Sequence, residues 1–329
     1  MPVSFLGETI GEQQTKIVRI PVCRLASGTA LSVAVHVLRG SGDGPAVGIM
    51  SAHHGEELFT TELMRRLRQI LLDSRFRGTV LMVPCANPPS FEAGTRNTPV
   101  DMHNLNRVFP GNAAGWLSEK LAAVIWDRFV PAIDAFLDYH CGGEDTEIHY
   151  TYTLDPGTPF GRTVHELAML GSAPILWQTA HPAGSLSGET TRRQIPTVIL
   201  EVGGGPSFGT DLMDRGLAAA CRILRKLGVL DGPVGRGEAR IVVREGGAVR
   251  PAHGGLFLPE VGHDALGTSV PGGTILGRVV APDTFEELDV IRAPYPVTEI
   301  MMVRSRTSKV HPGEYAYILG DGESGQAIV

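Results

Sequence analysis

Histidine and glutamate recur in this sequence at positions where they can share one cation. The first instance is Ser51-Ala52-His53-His54-Gly55-Glu56-Glu57, at the carboxyl end of an apolar run and the start of a helical pattern. In open α/β sheets that edge is where ligands bind. A His and a Glu three residues apart face one point when the turn enters a helix, and so offer a neutral imidazole and a carboxylate to one metal. The spacing is satisfied twice, by His53 with Glu56 and by His54 with Glu57, and periodicity does not choose between them. The second instance is the apolar run from Ile133 to Asp138, which continues through Tyr139 to His140 and then Gly142-Gly143. A distant histidine at a strand end is what H-x-x-E lacks to make a His₂Glu zinc site with its fourth position open to water.

A third segment, Thr197-Val198-Ile199-Leu200-Glu201, closes an apolar strand with a carboxylate. Burying that charge without a partner is costly, so Glu201 is expected to be paired or to face a cavity. Near a metal it can take the proton of a water, with burial raising its pKa toward the working range. The polar loop from Gly94 to Gly111 supplies Arg96, Asn106 and Arg107. Arginine beside asparagine suits a substrate carboxylate, and Arg96 suits the oxyanion that forms when water adds to an amide carbonyl.

Elements that position these residues are legible in the periodicity. Short β-branched runs at Leu31–Leu38, Ala46–Ser51, Thr79–Pro84, Ile133–Asp138 and Thr197–Val202 alternate with helical stripes at Leu63, Leu67, Ile70 and Leu71, at Leu117, Leu121, Val124 and Ile125, and at Leu217, Leu224 and Leu227. This pattern predicts a wound α/β sheet with helices packed on it. The Gly- and Pro-rich run beginning at Gly228 reads as a linker, and beyond it come short β segments at Ile241–Arg244, Gly255–Leu258, Ile275–Val280, Glu299–Val303 and Tyr315–Leu319. We therefore expect a catalytic domain over 1–230 and a smaller β domain over 236–329. Turns near His253 and His311 resemble those of lipoyl-type barrels, but Met301-Met302-Val303 carries no lysine for a swinging arm. A lid, an oligomer contact or structural support remains for the tail.

With a net charge of −6 and only 19% charged residues, the chain offers no basic stripe for nucleic acid. No run is apolar enough to span a membrane, the N-terminus lacks a signal-peptide core, and four scattered cysteines suggest reduced thiols. The expectation is a cytoplasmic enzyme acting on a small soluble substrate, with homo-oligomerisation open.

Taken together in order, the motifs resemble the succinylglutamate desuccinylase and aspartoacylase family of zinc carboxypeptidase-like hydrolases. Members show H-G-x-E after a strand, an N-L-N-R-x-F-P-G-type loop, a D-x-H strand end and a T-x-x-x-E-x-G-G strand. The counterparts here are His54-Gly55-Glu56-Glu57, Asn104 to Gly111, Asp138-Tyr139-His140 and Thr197 to Gly204. The resemblance covers residue 30 or so to the C-terminus and implies a carboxypeptidase-like mixed sheet flanked by helices, with a barrel-like β tail. It also implies one Zn²⁺ held by His54, Glu57 and His140, because the family's ligand precedes glycine; His53 becomes a neighbour. Glu201 is then the general base, Arg96 the carbonyl-polarising residue, and Asn106 with Arg107 the carboxylate grip. Asp101 is expected to brace the loop or a ligand, while His103 departs from the glycine common in relatives and has no assigned role. The implied activity is deacylation of a small N-acyl amino acid or related amine. Alternatives are a metallocarboxypeptidase acting on peptides and a non-catalytic small-molecule or metal-binding protein. The segment from Trp177 to Gln194, with His181, Glu189, Arg192 and Arg193, precedes the Glu201 strand and is a candidate cover for the pocket.

Overall fold

A computed structural model of the protein describes residues 1–328. Its centre is a mixed sheet running, edge inward, through Gln14–Arg24, Ala30–Arg39, Thr79–Val83, Ala46–Met50, Ala135–His140, Thr197–Gly204 and Thr146–Thr153. The four strands from Thr79–Val83 to Thr197–Gly204 are mutually parallel, as strand–helix alternation requires. Every residue of Thr79–Val83 and Ala135–His140 is buried, the signature of strands covered on both faces.

Two helices, Leu58–Asp73 and Leu212–Lys226, cover one face. They bring Leu63, Leu67, Leu71, Leu217 and Leu224 against Leu137, Val198 and Val202. Leu117–Arg128 covers the other face, packing Leu121 and Ile125 on Val35, Met50 and Phe136. The three predicted helical stripes are thus the core-facing sides of three helices. The edge strand Gln14–Arg24 was not predicted. Its alternation is masked by Lys16, Arg19 and Arg24, charges suited to an edge that must not pair with another chain.

In the tail, four strands form a small antiparallel sheet in the order Glu287–Arg292, Ile275–Val280, Gly255–Pro259 and Ser308–Val310. Its core holds Phe257, Leu276, Val279 and Ile291 with Ile300 and Tyr317. Val297–Arg304 also pairs with Thr146–Thr153, setting Met302 opposite Ile148, and Tyr317–Asp321 and Gly246–Val249 follow outward. Hydrogen bonding therefore runs from the central sheet straight into the tail, a continuity absent from the sequence reading.

Candidate metal centre and active site

The strand Ala46–Met50 ends in a turn where Ala52 takes a left-handed φ of 51° while fully buried. For a residue with a Cβ this is an uncommon conformation, which the surrounding structure must hold in place. Gly55 follows, and a Cβ there would sit 1.8 Å from the Ser90 carbonyl oxygen. The glycine of the H-G-x-E motif is thus required by close packing against the short helix Pro88–Ala93. The chain then enters the helix Leu58–Asp73 directly after Glu57.

This geometry folds Glu57 back on His54. Glu57 Oε1 lies 2.7 Å from His54 Nδ1 and 2.9 Å from His140 Nδ1, so one carboxylate oxygen serves two imidazoles. All three side chains are buried and lie within a shell that can hold one metal ion. The far nitrogens of both rings face acceptors. His54 Nε2 is 3.1 Å from Asn104 Oδ1, and His140 Nε2 is 3.3 Å from Asp138 Oδ2. Such outward contacts fix ring orientation and leave the inner nitrogen's lone pair for a cation.

Asp138 is fully buried and takes a second imidazole, His53, through Nε2 at 3.0 Å, together with the Ser187 hydroxyl. His53, Asp138 and His140 form an alternative cluster of potential ligands. In it the carboxylate sits behind His140, and the ring of His53 stacks on that of His140 at 5.2 Å. His53 is thus a support of Asp138, as a neighbour of the ligand would be. The role of Asp138 was missed. Its signal was the i, i+2 relation to His140, which puts both side chains on the same face of a strand.

Glu201 stands on the adjacent parallel strand, in register with His140, and faces a cavity of about 630 Å³. Burial raises its pKa to about 7; the His140 ring opposes the shift, while the Glu57 and Asp138 carboxylates reinforce it. Burial likewise lowers His54 to about 4 against the pull of Glu57. For Glu57 burial favours the acid, yet the two imidazoles outweigh it and hold the carboxyl well below its usual range. In His140 the partners win again: burial lowers it, but Asp138 and Glu57 overcome burial and raise it.

Arg96 and Arg107 both line the cavity. Arg96 is partly exposed, 3.8 Å from the Glu56 carboxylate, and Arg107 donates to the Asn106 carbonyl at 2.6 Å. Asn106 is differently placed. Its Oδ1 accepts from the Leu186 N–H at 2.9 Å, which leaves its Nδ2 3.2 Å from His140 Nε2, a nitrogen that accepts from this amide only in the tautomer that does not donate to Asp138. Asp101 accepts from the His103 N–H and from both the backbone and hydroxyl of Ser118, tying the loop to the helix Leu117–Arg128. In the segment from Trp177 to Gln194 the cavity is lined by Pro182, Ser185 and Ser187. Arg192 pairs with Glu189, Arg193 lies over Trp126, and His181 bonds Thr191, so the residues singled out there point elsewhere. The tail contributes Arg250, Arg304 and Tyr315 to the opposite wall, for which no motif gave warning.

The profile of the succinylglutamate desuccinylase/aspartoacylase catalytic domain matches residues 43–227, more than half of the chain. The chain belongs to the succinylglutamate desuccinylase/aspartoacylase family. It is 29% identical over 261 residues to the N-alpha-acetyl-L-2,4-diaminobutyric acid deacetylase of Halomonas elongata, a match covering 76% of this chain and 74% of that one. In fold it is similar to a succinylglutamate desuccinylase from Silicibacter, with a TM-score of 0.81, 21% identity and 98% of each chain covered. It is also similar to an aspartoacylase family protein from Mesorhizobium loti, with a TM-score of 0.77, 25% identity, and 100% of this chain and 99% of that one covered. The desuccinylase/aspartoacylase fold and the expected helix-flanked mixed sheet are thereby the same architecture, with the smaller antiparallel sheet at its C-terminal end. Among the described residues no helix is long and apolar enough to cross a membrane.

Proposed function

We propose that this protein is a zinc-dependent amidohydrolase that removes the acyl group from a small N-acyl amino acid or related N-acyl amine. The observation that carries this reading is the meeting of the His54 and His140 Nδ1 atoms at one oxygen of Glu57, with Glu201 facing the same cavity. Two imidazole nitrogens and a carboxylate oxygen, oriented by Asn104 and Asp138, are the donor set Zn²⁺ takes in hydrolytic sites. When bound, the ion supplies Lewis acidity and a water of lowered pKa.

The chain's own residues then divide the work. Glu201, whose carboxyl titrates near neutrality in this environment, accepts the proton of the attacking water and returns it to the departing amine. Arg96 reaches into the cavity to donate to the developing oxyanion, and Arg107 takes the substrate carboxylate. Asn106 is proposed to share that grip from the cavity wall, where the Leu186 N–H holds its amide oxygen and turns its NH₂ toward the His140 ring. The tail, proposed as a β domain over 236–329, closes the cavity with Arg304 and Tyr315. The four free cysteines among the described residues accord with a cytoplasmic setting.

The deciding experiment is Glu201→Gln assayed for both metal content and hydrolysis of a panel of N-acyl amino acids, N-acetyl-diaminobutyrate included. The variant should keep one zinc per chain and lose several orders of magnitude in turnover, an effect of the size expected for a proton-transfer residue acting on an unactivated amide. Near-normal turnover would remove Glu201 from the reaction. A wild-type protein without zinc or activity on the panel would remove the proposal itself.

A further inference from the structure

Away from the proposed metal centre, along the helix Leu58–Asp73, lies a second cavity of about 500 Å³. Its apolar wall is made by Leu58, Met64, Met82, Pro84 and Phe91, and its polar end by His36 and Arg68. The volume falls within the range of about 300–1,000 Å³ that small-molecule pockets occupy. His36 stands on the strand Ala30–Arg39, opposite Met82 on one side and Ile17 on the other. Ile17 and Leu58 are 55% and 52% exposed, so this face of the sheet is apolar and only partly covered by the helix.

The charges around the cavity are unevenly matched. Glu62 is the acidic residue of the wall, and its two oxygens already accept from Arg65 and Arg66. Gln69 donates to Asp73. Among the described residues neither the Arg68 side chain nor the His36 ring has a hydrogen-bond or ion-pair partner; Arg68 Nε and His36 Nδ1 are sealed from solvent, which leaves the Arg68 Nη atoms and His36 Nε2 to face the cavity. Burial and the nearby Arg68 charge keep the His36 ring neutral, so its Nε2 can carry the proton and donate. Two donors left open at one end of a pocket, one of them on a cation, are complementary to a two-oxygen anion.

We propose that this cavity is a second ligand site, which takes a small organic carboxylate whose two oxygens meet Arg68 and His36 and whose apolar body lies against Met64, Met82 and Phe91. The site is separate from the metal centre, and Thr61 lies between them. It lines this cavity, and its hydroxyl is within hydrogen-bonding distance of the carbonyls of Pro84 and of the proposed ligand Glu57.

The test uses 4-phenylbutyrate and its neutral counterpart 4-phenylbutan-1-ol, titrated calorimetrically into the zinc-loaded full chain. The acid should bind once per chain and the alcohol roughly tenfold or more weaker, the difference made by charge-assisted hydrogen bonds. Arg68→Met and His36→Phe should each weaken the acid by at least about tenfold while leaving zinc content and thermal melting near wild type. Two variants are used because either could fail to fold. Arg107→Met should leave the acid's affinity unchanged. The proposal is overturned if the acid does not bind, if acid and alcohol bind alike, or if neither Arg68→Met nor His36→Phe alters the affinity, since the probe would then sit elsewhere. It is equally overturned if Arg68→Glu turns a dimer into a monomer in sedimentation, which would make this face a contact between two copies.

Discussion

Replacing Asp138 by Asn tests whether the metal site is organised from behind. The native carboxylate is fully buried and holds three groups at once: His53 Nε2 at 3.0 Å, His140 Nε2 at 3.3 Å and the Ser187 hydroxyl. Asparagine is nearly isosteric but offers one acceptor oxygen in place of two and adds an N–H₂ where the partners are themselves donors. One imidazole must then lose its acceptor or turn to its other tautomer. If that ring is His140, the nitrogen facing Glu57 becomes protonated and unavailable to a cation. Losing such an outer contact weakens metal affinity by about 10- to 100-fold, or roughly 1.4–2.7 kcal/mol. The assay is zinc affinity by chelator competition, followed by turnover at saturating zinc. We expect weaker zinc binding with turnover partly recovered once the site is filled. An unchanged affinity would refute the idea that Asp138 sets the state of His140, and would leave His54 and Glu57 to define the site.

Further outcomes follow from the same geometry. Because Glu201 must be ionised to accept a proton, kcat/KM should rise with pH through an apparent pKa at or somewhat below about 7, the bound cation pulling it down; a limb missing from the profile of Glu201→Gln's residual activity would agree, and an unchanged limb would not. In the metal-free protein the same raised pKa contributes stability at low pH that is lost as pH rises through about 7, so Glu201→Gln should melt higher than wild type at pH 8 and show little difference at pH 5. Gly55→Ala forces a Cβ onto the Ser90 carbonyl and should cost about 1–3 kcal/mol or more in denaturant unfolding, with loss of bound metal. Arg107→Lys keeps the charge but not the planar fork, and should raise KM with little change in kcat; equal losses in both would move Arg107 from substrate binding to the transition state.

The parts of this fold written in local periodicity were legible. Leu63, Leu67 and Leu71, like Leu121 and Ile125, repeat at helical spacing because one side of each helix must be dry. Ala46–Met50 and, after Thr79, the rest of Thr79–Val83 are apolar because both their faces are covered. His54, Glu57, His140 and Glu201 lie around one cavity because strand ends bring distant residues to one edge, whereas the choice of His54 over His53 came from the family resemblance and not from spacing. What was hidden is what depends on pairing across the chain. Thr146–Thr153 mixes glutamate, histidine and tyrosine with threonine, so its place in the sheet is set by neighbours on either side and not by its own pattern. Asn106 reads as a substrate contact by its company with Arg107, and only the position of Leu186, eighty residues away, turns its amide toward His140.

The passage of the sheet into the tail bears on how the protein can be divided. A chain ended in the glycine-rich run after Gly228 would bare the first half of Thr146–Thr153, leaving Glu147 and Ile148 without the Val303 and Met302 backbone beside them. It would also strip Glu147, buried and bonded to Ser207 and His263, of its imidazole partner. A newly exposed strand edge invites pairing with other chains, and a stranded charge resists folding. An isolated N-terminal fragment should accordingly aggregate, and shortening this enzyme for engineering should begin at loop tips such as Gly273 or Gly313, where a left-handed turn meets open solvent.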